Sequence, residues 1–393
     1  MNKKLMKTFT SYERVKAALE HREADKVPFD LGSAAVTGIN NKALGSLRRY
    51  LGLSDNVTIK DRITQIGNIE DDLIEKLKID VKCVAPSPSI KKGLSREPGV
   101  EDGYDRIIDE WGMGWRMPVT GGHYYDLYHS PLASAQSIAD IEKYPWPDAL
   151  DIARYADLKM KADHIVHDEK KAYFLERMSS GMWEHAMWMR GYEQFYIDMM
   201  MNQGIVQAIM EKILEINMQY WERALDAVGE NVLVVSMADD LGAQNSLLVS
   251  LETYKEQIWP FHKRLFDFVK SKAKSKIYIF FHNDGAVMET FPLLIEAGVD
   301  IMNPFQVNCA GMDTGKFKKE FGKDLTIWGG SCDNQIVMPF GTPQEVRDET
   351  RRRIEDLAPG GGFIFAPIHV IQNGVPPENI MAWWETLQEY GSY

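Results

Sequence analysis

Short β-branched or aromatic runs that end in polar residues recur eight times along this chain. They are VPFDLG (27–32), DVKCVAP (80–86), AYFLERM (172–178), NVLVVSMADD (231–240), KIYIFFHND (276–284), VDIMNPFQ (299–306), LTIWGGSCD (325–333) and GFIFAPIH (362–369). Each has the length and composition of a strand. Between most of them the apolar residues fall at helical spacing, most clearly in KRLFDFVKSKAKS, PLLIEAGV and PQEVRDETRRRIEDLA. Thr342, Pro343 and Glu345 form a helix-start signal at the last of these. Strand–helix alternation predicts an α/β fold with a parallel sheet, and a count of eight predicts a closed (β/α)8 TIM barrel. Runs such as IYIFF and VLVV are apolar throughout, as strands buried on both faces require. The alternative is an open doubly wound sheet; against it, no GxGxxG follows the first strand.

Two stretches depart from the alternation. Residues 1–26 read as a helix ahead of the first strand, expected to pack across the barrel bottom. Residues 87–150 are too long for one crossover after the second strand. Within them, DRIIDEWGMGWRMPV and GGHYYDLYHSPL read as a hairpin with Gly121 and Gly122 at or near its turn. An insertion at that point sits over the active face and is a lid candidate within a single domain spanning 1–393.

Bulk properties narrow the function. A chain of 393 residues buries enough surface to need no disulfide staples. With 45 basic against 57 acidic residues, the net charge is −12, and no Lys/Arg-rich block stands out. Nucleic acid and anionic membrane surfaces are therefore unexpected partners. Cys83, Cys309 and Cys332 are far apart, which fits a reducing compartment rather than a disulfide framework. The start, MNKKLMKTFTSYERV, is basic but reaches no long apolar run, so a signal peptide is not expected. No uncharged apolar stretch is long enough to span a bilayer. A cytoplasmic enzyme is the expectation, with a homodimer as the default oligomer.

In a barrel of this kind, chemistry gathers at the carboxyl ends of the strands. Those ends carry Asp30, Glu176, Asp239 and Asp240, His282 and Asp284, Asn303 and Gln306, Cys332 and Asp333, then His369 and Gln372. So many polar groups at one end of buried strands are costly unless they bind something. In an extended segment, residues two apart share a side, so His282 and Asp284 could face one ion together. The alternative is a core histidine capped by a neighbouring carboxylate. Cys332 in GGSCDNQ is either a thiolate ligand or a small buried hydrophobe. Cys83, mid-strand, and Cys309, in a loop, read as structural. His369 reads as a ligand, a general acid or a substrate donor, against a loop-tying role. Asp239 and Asp240 open the loop DDLGAQ; both are candidate catalytic acids, and one could instead cap a helix. Candidate substrate contacts are Asp30, Glu176, Gln244, Asn303, Gln306 and Gln372. The segment 178–201 is dense in Met, Trp and Tyr and reads mostly as a buried helix face. Met182 and Trp183 at its start could line an aromatic-tolerant pocket.

These residues carry a resemblance. ERVKAALEHREADKVPFDLG, ADDLGAQNSLLVSLETYKEQIWPFHKRL, HNDGAV, AGVDIMNPFQ, GGSCDNQIVMPFGTPQEV and GGGFIFAPIHVIQNGVPPENI, in that order and spacing, resemble the uroporphyrinogen decarboxylase superfamily. Within it the chain is more similar to the cobalamin-dependent methyltransferases than to the decarboxylases. The resemblance implies a (β/α)8 barrel. The decarboxylases grip substrate carboxylates with an arginine-rich N-terminal motif; the matching VPFDLGSAAVTGI has no arginine, so porphyrinogen decarboxylation is not expected.

The thiol-methylating members bind zinc through His-x-Cys and a distant C-terminal Cys. Here His282 matches the histidine, Asp284 stands at the first cysteine, and His369 lies in the C-terminal region, with Cys332 on the neighbouring strand. The resemblance thus implies a zinc site of His282, Asp284 and Cys332, harder than the family pattern and better suited to an oxygen-bound substrate. The implied reaction moves a methyl group from a methyl ether, aromatic by expectation, to Co(I) of a corrinoid. No DxHxxG-type cobalamin-binding motif is present, so the cobalamin is expected on a partner corrinoid protein. The competing expectations are a methylcobamide-dependent enzyme acting on a thiol or tetrahydrofolate, and a decarboxylase.

Overall fold

A computed structural model describes residues 8–91 and 93–393. Seven of the eight strand signals form one curled parallel sheet, and the first adds a single bridge beside it. We number them β1 (a single bridge at Phe29), β2 (Val81–Val84), β3 (Ala172–Leu175), β4 (Val234–Ala238), β5 (Tyr278–His282), β6 (Ile301–Asn303), β7 (Thr326–Trp328) and β8 (Phe363–Ile364). The order follows the chain, β2 through β8, each strand parallel to the next. The first strand is the shortest. Phe29 bridges Phe365 next to β8, and its carbonyl accepts the Asp80 N–H at 2.8 Å just before β2. That segment closes the ring, so the chain has the TIM-barrel fold.

The two-residue period of the strands divides the core. On β5, Tyr278 and Phe280 face the barrel interior, while Ile279 and Phe281 face the surrounding helices. On β4, Val234 faces inward and Val235 and Met237 outward. Phe174, Phe280 and Trp328 fill the interior, with ring centroids 5.1–5.7 Å apart in edge-to-face contact. This aromatic plug is the floor beneath the strand ends.

Helix α1 (Ser11–Leu19) starts at Thr10, whose capping box with Glu13 satisfies its first amides. Val15, Ala18 and Leu19 pack into the same interior cluster. Tyr12 N–H donates to Lys170 O and Gly362 N–H to Ala18 O, both at segments that lead into strands. The helix therefore seals the amino-terminal end of the barrel, as expected from residues 1–26; residues 1–7 lie outside the described residues. The predicted helix start at Thr342 is also present, with Glu345 completing a capping box on Pro343–Leu357.

Between β2 and β3 stands a separate antiparallel sheet of four strands, Arg96–Glu101, Tyr104–Ile108, Gly114–Pro118 and Asp126–His129. The expected turn at Gly121 and Gly122 joins the last two. The first two meet at Asp102 and Gly103, both at positive φ, the conformation of a tight hairpin turn. Alternation again sets the faces: Ile107, Trp115, Met117 and Leu127 pack toward the barrel. The hairpin Ile59–Asp61/Ile66–Gly67, after β1, meets this sheet where Ile63 O accepts the Tyr125 N–H at 2.9 Å. Among the described residues, no helix is long and apolar enough to cross a membrane.

Candidate active site

His282 ends β5 on its inward face, one pleat above Phe280. Register places Asn303 of β6 beside it and Ala238 of β4 on its other flank. Asn303 is fully buried, and its Nδ2 donates to the Trp328 carbonyl at 2.6 Å. Its Oδ1 must then face His282 Nδ1, 2.8 Å away, so Nδ1 carries the proton and donates. The lone pair on Nε2 is left pointing upward out of the barrel. A histidine tied back in this way is how ligating imidazoles are usually oriented.

Nε2 of His282 stands 3.8 Å from Asp240 Oδ1 and 3.8 Å from Asp284 Oδ2; His369 Nε2 stands 3.6 Å from the same Asp284 oxygen. These separations are too long for hydrogen bonds. They are close to the spacing of two ligand atoms on one ion, about 3.4 Å for a tetrahedral centre with bonds of about 2.1 Å. His282, Asp284 and His369 each offer a ligand atom, all within 4.8 Å of one another. Asp284 Oδ1 is buried with no hydrogen-bond partner. Burial pushes both histidines down to about 4, so both are neutral at pH 7. Burial, with Asp240 nearby, pushes Asp284 up to about 7. Burial also raises Asp240 to about 6, although the Asp284 N–H donates to it at 3.0 Å. Neutral imidazoles and acids short of positive charge are a donor set that a divalent cation fits.

A cavity of about 330 Å³ opens above this group. Val36, Ile63, Ile66, Trp115, Tyr125 and Trp188 form its apolar wall, and Arg177, Glu184, Asp240, His282 and His369 its polar side. Trp115 and Tyr125 come from the insertion. Trp115 Nε1 donates to Asp109 at 2.8 Å, and the Tyr125 hydroxyl donates to Asp105 while accepting from Arg62 Nε. Trp115 and Trp188 meet edge to face at 5.3 Å. The Arg177 guanidinium donates to Ser236 Oγ at 2.7 Å and to Glu176 at 3.2 Å.

Several expected residues lie elsewhere. Cys332 is fully buried in the outer core, its thiol near the Asp333 carbonyl and pushed up by burial, and it is not among the grouped ligand atoms. It follows Ser331, whose hydroxyl is tied to Ala366 O, and the chain has already turned away from the mouth there. Asp239 is also fully buried. Its two oxygens accept the N–H groups of Met182, Trp183 and Glu184 and the His262 imidazole, so it anchors a helix start. Inward alternation on β4 sends Asp240 to the cavity and Asp239 to the helices. Asp30 lies below the site, bonded to Ser33 and Trp328 Nε1. Trp183 is fully buried, edge-on to Tyr196. Gln306 ties Gly285 and Cys309, Gln244 is an exposed tie to Asn308, and Gln372 is exposed. Glu176 accepts from Arg177, which lines the cavity. Arg177 lies inside the third strand run, where the strand-end reading takes Glu176, and Glu184 and Trp188 lie beyond it in the helical segment 178–201.

Comparison with known proteins agrees with this architecture. A solved structure described as a methyltransferase from Methanosarcina mazei superposes with a TM-score of 0.63 over 98% of this chain and 99% of that one, at 14% identity. The methylated-thiol–coenzyme M methyltransferase of Methanosarcina mazei is 30% identical over 166 residues, 42% of this chain and 39% of that relative's length. The family described as uroporphyrinogen decarboxylase (URO-D) matches residues 128–390. The match takes in β3 through β8 with every residue of the His282 group, and the chain belongs to the uroporphyrinogen decarboxylase family.

Proposed function

We propose that this chain is a methyltransferase that takes a methyl group from an aromatic methyl ether and delivers it to Co(I) of a corrinoid held by a separate protein. The observation that carries this reading is the nitrogen and oxygen donor group His282, Asp284 and His369 beneath an aromatic-walled cavity. The similarity to a methyl-transferring relative supports the transfer chemistry. A substituted benzene ring suits a wall of Trp115, Tyr125 and Trp188, where edge and offset contacts between rings are favourable.

His282, Asp284 and His369 would hold zinc. Bound there, zinc supplies Lewis acidity toward the ether oxygen. The chain's own residues orient and enclose. Asn303 fixes the His282 ring. The aromatic wall aligns the substrate ring and excludes water. The insertion, through Trp115 and Tyr125, serves as the cover of the cavity.

A methylated thiol is the second reading, favoured by the name of the curated relative. Thiol activation suits a thiolate-rich zinc site. Among the described residues, the donor group contains no cysteine. The test offers methoxylated aromatics, methylated thiols, methylamines and glycine betaine with Co(I) cobalamin as acceptor, beside metal analysis. Turnover of the methoxylated aromatics with stoichiometric zinc is expected. Turnover of methylated thiols alone would replace the ether reading, and carbon dioxide release from a carboxylate substrate without corrinoid would replace both.

A further inference from the structure

Glu184 belongs to none of the polar strand ends. It sits in the first turn of α2 (Trp183–Arg190), the helix that follows β3. The Asp239 carboxylate holds the start of that helix, accepting the N–H groups of Met182, Trp183 and Glu184 at 3.0, 3.1 and 2.8 Å. The approach is close enough that a Cβ on Gly181 would meet Asp239 Oδ1 at 2.0 Å. This anchor places Glu184 on the wall of the cavity that Trp188, Asp240, His282 and His369 also line. Its carboxyl group makes no hydrogen bond or ion pair with the described residues, unlike that of Asp239. Nothing in the fold uses it, yet it faces the substrate space.

We propose that Glu184 is the acid that protonates the leaving oxygen during methyl transfer, a role that rests on the ether reading above. Other groups on the wall are less suited. Asp240 accepts the Asp284 N–H and faces His282. His369 belongs to the group that would hold zinc, so its ring is committed there. Arg177 is tied to Ser236 and Glu176. Burial, then Asp240 and Asp239, lift Glu184 well above the ordinary carboxylate range, with Arg177 opposing. Tyr192 and Asp284 are the remaining ionisable groups in its field.

The step balances. The electron pair of the Co(I) acceptor forms the new bond to the methyl carbon, and the C–O bond breaks with its pair left on oxygen. That oxygen takes the proton of Glu184 and departs as a phenol. The glutamate is left as a carboxylate in the first turn of α2, where the helix dipole favours an anion, and regains its proton from water.

The experiment compares wild type, Glu184→Gln and Glu184→Asp under single-turnover conditions with Co(I) cobalamin. The substrates are aryl methyl ethers, from methoxyphenols to nitroanisoles. For Glu184→Gln we expect a loss of about 100-fold or more on methoxyphenols, the usual contribution of a general acid. On nitroanisoles, whose phenolates leave without a proton, most of the rate should return. Glu184→Asp should retain part of the rate on every ether. A structural role would instead lower all rates alike. Equal loss across the series, or no loss, would overturn the proposal. Should Glu184→Gln fail to fold, the wild-type solvent deuterium isotope effect decides: present on methoxyphenols and absent on nitroanisoles if Glu184 acts, the same on both if it does not. If wild type turns over methylated thiols and no ether, the ether reading falls and Glu184's role falls with it.

Discussion

Replacing Asp239 by alanine separates an anchoring role from a chemical one. The side chain is fully buried and accepts four hydrogen bonds, three from amides at the start of α2 and one from His262 at 2.7 Å. His262 is held from its other side by the Tyr254 hydroxyl at 3.1 Å. Loss of a helix-start acceptor costs about 1 kcal/mol. Each further buried donor left unpaired costs about 1–3 kcal/mol, less where water enters. The total for Asp239→Ala is about 4 kcal/mol, at the upper end for a single substitution. Asp239→Asn keeps one oxygen but turns an N–H toward other donors, for about 2 kcal/mol. Equilibrium urea unfolding, monitored by tryptophan fluorescence and circular dichroism, reads both values. A loss below about 1 kcal/mol for the alanine variant, with activity abolished, would mean that Asp239 acts chemically and that the hydrogen-bond bookkeeping is wrong. Gly181→Ala presses on the same network from the opposite side and should also destabilise.

Three further outcomes follow from the geometry. Asn303→Leu removes the acceptor of His282 Nδ1–H, so zinc affinity should fall about 10–100-fold in chelator competition; unchanged affinity would contradict the tie-back. Cys332→Ala should leave zinc content unchanged and cost about 1 kcal/mol of stability, since the thiol only fills core; loss of zinc would restore it as a ligand. His185 packs against Trp111 at 4.2 Å with both ring nitrogens unpartnered, and burial holds it down to about 3. Its folded pKa lies below the unfolded value of about 6.5, so the unfolded chain takes up its proton first and stability falls as pH drops below that value. Between pH 7 and pH 5 that loss is about 2 kcal/mol, and His185→Phe should flatten the profile by this amount; parallel profiles would contradict it.

The barrel was legible because each strand carries an apolar run and a polar end. The least legible strand was the first: VPFDLG looks as strong as the others, yet only Phe29 bridges, because neighbouring loops take over the pairing on either side. In sequence the insertion shows one hairpin. Asp102-Gly103, a strong turn dipeptide, marks a second hairpin that the long Trp- and Met-rich stretch obscured.

At the site, strand ends located His282, Asp284, Asp240, Asn303 and His369 but over-collected. A polar residue at a strand end can bind a ligand or tie a loop, and Asp30, Gln306 and Asp239 do the latter. Parity along β4 distinguishes Asp239 from Asp240, but only once the inward face is known. Cys332 carried no positional signal beyond its neighbours. Glu184 was hidden for the opposite reason: a lone acid in a Met- and Trp-rich helix looks like an exposed position, and only the tertiary contact with Asp239 turns it into the cavity.

Methyl transfer from a methoxylated aromatic to Co(I) cobalamin, followed in a single turnover before and after metal removal, is the most direct test of the proposed chemistry. Transfer should disappear with the metal, return with zinc, and fail to return in His282→Ala. Transfer that persists without metal, or that proceeds only from a methylated thiol, would contradict a His282–Asp284–His369 zinc site built for ethers.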